Sequence, residues 1–108
     1  MNLPKEYEDY IAAKGIFEGS TTGEPGYIML WPPDELDSIN TEISIAELAP
    51  GYNAFASNGG NEVIAFNAAG TVFMIPLIGM DSQYVIQIAE TFGELASRFE
   101  ENRLTQKY

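Results

Sequence analysis

The chain has 108 residues, enough for one small domain with a single core, and its hydrophobic fraction of 45% excludes a disordered chain. Its 16 Asp and Glu residues outnumber 5 Lys and Arg residues, which gives a formal net charge of -11. Such a surface repels nucleic acid and anionic lipid, and it suits a basic partner or serves solubility alone. The absence of Cys and His excludes disulfides, thiolate chemistry and His-dependent catalysis.

Two features of the sequence predict where the protein works. The longest apolar run, residues 72–78, is far too short to span a bilayer. The N-terminal segment MNLPKEYEDY lacks the basic and then apolar order of a signal peptide. We therefore expect a cytoplasmic protein that binds no membrane, with residues 1–108 as a single domain.

A helix is predicted at the start of the chain. Pro4 suits the first helical turn, where its missing N–H is not needed. Tyr7, Tyr10 and Ile11 recur at three- and four-residue spacing and give one apolar face. Gly15 is a suitable residue just past the end of this helix.

Two strands and an acidic helix should follow. Residues 16–19 could form a short strand, and residues 20–26 have the composition of a turn. Residues 27–31, rich in aromatic and branched side chains, predict a strand that Pro32 ends because it cannot donate to a ladder. Residues 33–43 then predict a helix with acidic side chains in its first turn.

A strand meander is predicted in the second half of the chain. After a loop at residues 47–53, strands are expected at residues 53–57 and 62–67. They are joined by residues 58–61, Asn-Gly-Gly-Asn, and Asn-Gly is the strongest short hairpin signal. Residues 71–79 predict a strand that is covered on both faces or central in the sheet, with Pro76 ending or bulging its ladder.

The C-terminal part predicts one more strand and a helix. Tyr84, Ile86 and Ile88 recur at every second position and predict an extended segment, and Thr91 with Glu94 forms a capping box that opens a helix at residues 91–102. The whole pattern predicts an α+β fold. It is a single domain in which helices pack against an antiparallel sheet of about four to six strands.

Four ordered segments resemble the SMI1/KNR4 superfamily, also called SUKH. LPKEYEDYI resembles its LPxxYxxF helix, and GYIMLWPPDELDSIN resembles its strand and acidic helix that lead to an Asn. FASNGGNEVIAFN, followed by TVFMIPLI, resembles its Gly-rich hairpin, and IAETFGELASRF resembles its closing helix. Family members usually have a further helix before the first segment, so the resemblance implies a short member.

The resemblance implies a protein-binding module with no catalytic residue and no cofactor. Most bacterial members look like immunity proteins that neutralise a toxin, often a nuclease. The fungal members are linked to the regulation of cell-wall synthesis. We therefore expect an immunity protein with a basic toxin domain as its partner. A regulatory or scaffold domain, or a small-ligand-binding domain, is the alternative, and the oligomeric state stays open.

The Gly-rich turn does not fit a phosphate site. A Walker loop needs a Lys and then a Ser or Thr that open a helix. Here the glycines of residues 58–61 open a strand, and the carboxylate of Glu62 would repel a phosphate. The turn chemistry therefore predicts a hairpin.

Paired carboxylates and metal sites are also less favoured than exposed helix faces. Glu35 with Asp37, or Glu90 with Glu94, would need burial to raise a catalytic pKa, and all four occur in exposed contexts. Residues 34–42 supply oxygen ligands but lack the spacing and central Gly of an EF-hand loop. We expect no catalytic residue and no metal site.

The partner-binding surface is predicted on the helix that follows Trp31 and on the nearby loop, with Glu62 extending it. Trp31 is either an interface anchor or, as strand-end tryptophans usually are, a core residue. Tyr52 is either an exposed aromatic or a lid on the core. The predicted partner-binding residues are Trp31, Glu35, Asp37, Glu42, Glu47 and Glu62.

Overall fold

The chain forms a six-stranded antiparallel sheet in which every strand pairs with the next strand along the sequence. The computed structural model describes residues 3–100. The strands are β1 (Glu18–Ser20), β2 (Tyr27–Leu30), β3 (Asn53–Ser57), β4 (Glu62–Phe66), β5 (Val72–Pro76) and β6 (Ile86–Ala89). The helices are α1 (Lys5–Lys14), α2 (Leu36–Glu42), α3 (Ile45–Leu48) and α4 (Phe92–Ala96). The predicted α+β class is thereby confirmed.

The larger hydrophobic core lies on the face of the sheet that α1 and α4 cover. The ring of Tyr7 on α1 packs edge-on against three phenylalanines, Phe55, Phe66 and Phe92, at centroid distances of 5.6, 5.7 and 5.4 Å. Phe55 and Phe66 stack on each other at 4.0 Å. These fully buried rings join the first helix, the middle of the sheet and the last helix into one core.

A smaller core lies on the opposite face of the sheet, under α3. Successive side chains of a strand point to opposite faces. Val63 and Ala65 of β4 accordingly join this smaller core, whereas Ile64 and Phe66 join the larger one. Ile45, Ala49, Ala54, Ile75 and Met80 complete the smaller core. The central strands are therefore covered on both faces.

The predicted strand at residues 71–79 is shorter in the structure. β5 ends at Pro76, opposite Glu62, which agrees with the expectation that the ladder stops at the proline. Its buried side chains fall on both cores, and it lies between β4 and β6. Leu77 and Ile78, which were expected in the strand, are exposed in the loop that follows.

Most of the other predicted elements are present, with shifted ends. α1 begins after Pro4 and ends before Gly15, whose φ is 77°. β1 lies slightly later than predicted, and a 3-10 turn at Pro33–Glu35 precedes α2. Tyr84, expected in a strand, lies in a 3-10 turn at Ser82–Tyr84.

Two predictions are corrected at helix boundaries. The predicted loop at residues 47–53 overlaps α3, because a short helix begins at Ile45 directly after α2. α4 ends at Ala96, and the predicted helix end at residue 102 lies outside the described residues. Thr91 caps α4 by accepting a hydrogen bond from the N–H of Glu94 at 3.1 Å.

Candidate functional site

A cleft of about 780 Å³ lies between α2, α3 and the loop that leads into β3. It is lined by Asp37, Asn40, Thr41, Ser44, Ile45, Ala46, Glu47, Pro50, Gly51, Tyr52, Asn53 and Ala68. Two of the predicted partner-binding residues, Asp37 and Glu47, are among these lining residues. The cleft is therefore the place where the structure brings predicted site residues together.

The backbone between α2 and α3 shapes this cleft. Asp37 and Thr41 are four residues apart and so lie on one side of α2. Ser44 has φ 57° and ψ 37°, a left-handed conformation that is uncommon for a residue other than glycine. The backbone changes direction at Ser44, and α3 begins at the next residue. Glu47 on α3 therefore lines the same cleft as Asp37 on α2.

The floor of the cleft is held by Asn40, which is buried. Its side-chain oxygen accepts from the N–H of Ala54 at 2.8 Å, and its side-chain nitrogen donates to the C=O of Ala54 at 2.8 Å. The same nitrogen donates to the C=O of Leu36 at 2.8 Å. These bonds fix α2 against the start of β3.

Tyr52 closes one side of the cleft. Its ring packs edge-on against Phe73 at a centroid distance of 5.2 Å and lies against the smaller core. The side chain is half-buried, so it covers the core and also lines the cleft. Both of the roles considered for Tyr52 are therefore combined in one position.

The charge of this region is not balanced by neighbouring cations. Residues 15–97 contain no Lys, Arg or His. Within the described range 3–100, the carboxylates of the four acids predicted on this helix and in the nearby loop make no hydrogen bond or ion pair. These acids are Glu35, Asp37, Glu42 and Glu47. Their negative potential therefore extends into solvent and into the cleft.

The ion pairs that the structure shows lie elsewhere. Lys5 pairs with Asp9 at 3.0 Å on α1, and Arg98 pairs with Glu94 at 3.4 Å beside α4. Arg98 also donates to the C=O of Glu24 at 2.7 Å. The cations of these pairs flank the ends of the described chain and do not neutralise the cleft.

Glu35 and Glu42 lie away from the cleft. Glu35 lies in the 3-10 turn that precedes α2, whereas Glu42 is the last residue of α2. Neither lines the cleft, whereas Asp37 between them does. Of the predicted acids on α2 and in the turn before it, only Asp37 therefore lines the cleft.

Trp31 lies between the two cores. Its half-buried side chain packs against both of them, and its N–H donates to the C=O of Phe55 at 3.0 Å. This is the core position that strand-end tryptophans usually take. It supports the cleft region from within and offers little exposed surface for a partner.

Glu62 lies at the opposite end of the β3–β4 hairpin from the cleft. The cleft reaches Asn53 at the start of β3, whereas Glu62 follows the hairpin turn, about 13 Å away along the strand. Its carboxylate accepts from the side chain of Asn58 at 2.8 Å. The structure therefore places Glu62 in the turn and not beside the other predicted residues.

The hairpin turn itself has the predicted form. The side-chain oxygen of Asn58 accepts from the N–H groups of Gly60 at 3.0 Å and Glu62 at 3.2 Å. Gly59 has φ 81°, which glycine adopts without strain. These backbone N–H groups are satisfied inside the turn, so they are not directed at a phosphate.

Asn40, Ser44 and Asn53 are among the cleft residues that sequence reasoning missed. Asn40 lies within α2, and its hydrogen bonds to Ala54 could not be read from the sequence. Nothing in the sequence indicated the left-handed conformation of Ser44. Only the Pro-Gly pair at residues 50–51 marked this segment as a turn.

Two further findings concern residues 3–100. No group of three or more Asp and Glu side chains in this range is close enough to hold a metal ion. None of the helices described there has the length and apolar character needed to cross a membrane.

The sequence matches no protein-family model, and it matches no curated protein.

Proposed function

We propose that this chain is a non-enzymatic module that binds a basic protein, and that the cleft beside Asp37 and Glu47 receives that partner. The observation that carries the proposal is the unbalanced charge of the α2–α3 region. In residues 15–97 no cation is available to neutralise these carboxylates. Lys and Arg side chains of a partner would supply the missing charge.

Charge complementarity of this kind acts mainly on the rate of association. An acidic surface attracts a basic protein over distances of about 10 Å at moderate salt and orients it before contact. The rigid attachment of α2 through Asn40 keeps the acids in place. Little ordering is then required when the partner binds.

The SMI1/KNR4 resemblance suggests which partner to test first. It rests on the four segments quoted above, and the structure has a strand, an acidic helix, an Asn and a hairpin in the corresponding order. From that resemblance we infer an immunity protein that neutralises a basic toxin domain of a bacterial toxin system, with a nuclease toxin as the leading class.

The direct test is co-expression with the product of the adjacent gene, scored for rescue of growth and for co-purification. Two double variants then separate the acids that line the cleft from the acids at the two ends of α2. Asp37→Lys with Glu47→Lys should weaken binding by at least about tenfold and flatten its salt dependence. Glu35→Lys with Glu42→Lys makes the same change in charge outside the cleft and should weaken binding much less.

A third double variant controls for net charge. Glu8→Lys with Glu24→Lys alters two exposed acids outside the cleft by the same amount. Equal losses in all three double variants would show that only net charge matters and would overturn the cleft assignment. Absence of both rescue and co-purification with the wild-type chain would contradict the toxin-neutralising function.

A further inference from the structure

The two edges of the sheet differ in how far their backbone groups are paired. Next to β1, the chain pairs with the segment that follows α4 through a bridge between Thr21 and Phe99. Two further backbone bonds hold it, from Thr22 to Arg98 at 2.9 Å and from Glu100 to Ser20 at 3.1 Å. The backbone beside this edge is therefore partly paired.

The edge formed by β6 has no such cover within residues 3–100. β6 is the last strand of the sheet, and β5 is its one strand partner there. An unpaired strand edge presents N–H and C=O groups that a further strand can use. The described chain leaves these groups available.

Large exposed apolar side chains are concentrated beside this open edge. Ile78 is 78% exposed, Tyr84 56%, Ile86 51% and Leu77 41%. Ile86 lies opposite Met74 on β5, so the chain that leaves β5 and the chain that enters β6 meet at one end of the sheet. Four of the six exposed large hydrophobic residues described in the structure thus fall within residues 77–86. Such a concentration is typical of an interaction surface.

The charges near this surface indicate the chemistry of its occupant. Asp81 precedes β6 and Glu90 follows it, and both are exposed. No cation occurs in residues 15–97, so a second copy of this edge would bring carboxylates together. A segment with Lys or Arg would instead meet opposite charge at both ends of the strand.

We propose that the outer edge of β6, together with Leu77, Ile78, Tyr84 and Ile86, binds an extended segment of a protein partner in which apolar residues alternate with Lys or Arg. The segment adds a strand to the sheet, places its apolar side chains against Ile86 and Tyr84, and directs its cations toward Asp81 and Glu90. This inference rests on the proposed function, because the segment belongs to the same basic partner.

The geometry of β6 limits how much of the binding can come from backbone pairing. The register with β5 shifts so that Val72 is opposite Ala89 while Phe73 is opposite Gln87, which leaves Ile88 as an extra residue. A bulge interrupts the regular ladder. Regular pairing along β6 is therefore confined to Ile86 and Gln87 before the bulge, and the apolar side chains must supply much of the affinity.

The test uses the isotope-labelled full chain and a short capped peptide of alternating Lys and Ile, followed by NMR. We expect saturable shifts of the amides of residues 84–88. A peptide with Glu in place of Lys should give no saturable shift, because it lacks the complementary charge. The Lys peptide with every second amide N-methylated keeps the apolar side chains but loses the hydrogen bonds, so it should bind clearly more weakly than the unmethylated peptide.

A matched pair of variants tests the side chains. Ile86→Ser should weaken peptide binding by about fivefold to tenfold. Ile16→Ser should leave it unchanged, because Ile16 is 49% exposed, nearly the same as Ile86, but lies before β1. Both are surface positions, so folding should survive, and the dispersed spectrum verifies it.

Three outcomes overturn the proposal: no saturable shift, equal binding by the N-methylated peptide, or equal losses in the two Ile variants. None of them affects the proposed function, which is tested by rescue and by the Asp37→Lys with Glu47→Lys variant. If wild type captures the partner, that variant does not, and Ile86→Ser has no effect, the cleft assignment would be supported and the β6 proposal would be contradicted.

Discussion

The side-chain amide of Asn40 binds both backbone polar groups of Ala54, at 2.8 Å each. β2 ends just before this level of the sheet: Trp31 donates to Phe55, and Pro32, the next residue, has no N–H to offer. Asn40 therefore provides the pair of hydrogen bonds that a neighbouring strand would otherwise make. This contact fixes α2, and with it the acidic cleft, to the sheet.

Replacement of Asn40 should be among the most destabilising single changes near the cleft. Asn40→Ala leaves the buried N–H and C=O of Ala54 without their partner and should lower the free energy of unfolding by about 2–4 kcal/mol. Asn40→Asp keeps one acceptor but sets a carboxylate against two carbonyl oxygens, so it should also destabilise. Urea denaturation measures both.

Ser38→Ala is the control on the same helix, since Ser38 is exposed and bonds only the C=O of Glu35. It should change stability by less than about 0.5 kcal/mol. An Asn40→Ala variant as stable as Ser38→Ala would show that α2 does not depend on the Ala54 contact.

The buried hydroxyl of Tyr7 should lower the free energy of unfolding. Tyr7 is buried in the aromatic core, and among the described residues its hydroxyl has no hydrogen-bond partner. Tyr7→Phe removes this unsatisfied group and keeps the ring, so it should raise the free energy of unfolding by about 1 kcal/mol at neutral pH. Tyr84→Phe, which removes an exposed phenol, is the control for urea denaturation.

Burial, and secondarily the charge of Glu8, raises the pKa of Tyr7 above its ordinary value of 10.0. The neutral phenol is thus favoured in the folded state, and its contribution is fully present below pH 10.0. Stability should be lost as pH rises above that value toward the folded pKa. Tyr7→Phe should reduce this alkaline loss, and an unchanged slope of stability against pH would contradict the assignment.

Gly59 and Gly60 should differ sharply in their tolerance of alanine. Gly59 has φ 81°, and an added Cβ would lie 3.0 Å from the ring of Tyr27. Gly59→Ala should therefore cost about 1–3 kcal/mol. Gly60 has no such backbone constraint, and its nearest neighbour would be 3.6 Å away. Equal unfolding midpoints for the two alanine variants would refute the strained turn.

Added salt should stabilise the folded protein. A net charge of -11 generates self-repulsion that salt screens, while exposed pairs such as Lys5 with Asp9 contribute little. Raising NaCl from about 20 mM to about 300 mM should increase the free energy of unfolding by about 1 kcal/mol. Glu8→Lys with Glu24→Lys adds four charges, from -11 to -7, and should respond less. A decrease with salt would mean that ion pairs dominate.

The sequence predicted the elements whose signals are local. Pro4 and Gly15 delimit α1, and the Asn-Gly pair at residues 58–59 marks the hairpin, because each residue acts on its own backbone. α3 was missed because it is a single short turn of helix that starts at the left-handed Ser44. No composition rule foresees that conformation.

The candidate site was less predictable than the fold. Asp37 and Glu47 were named from charge alone, and they do line one cleft. The same charge argument also named Glu62, which lies away from the cleft. Charge alone does not indicate which end of a hairpin lies beside which helix. Asn40 acts on a residue 14 positions away, a contact that depends on the complete fold.

The order of the strands has a consequence for synthesis on the ribosome. Since each strand pairs with the one made just before it, the sheet can grow as the polypeptide emerges, without waiting for distant segments. The rings of Tyr7, Phe55 and Phe66, however, gain Phe92 only when the last helix appears. We therefore expect nascent chains that stop before α4 to be sensitive to protease at the first helix. Protection should arise abruptly once Leu95 has left the tunnel.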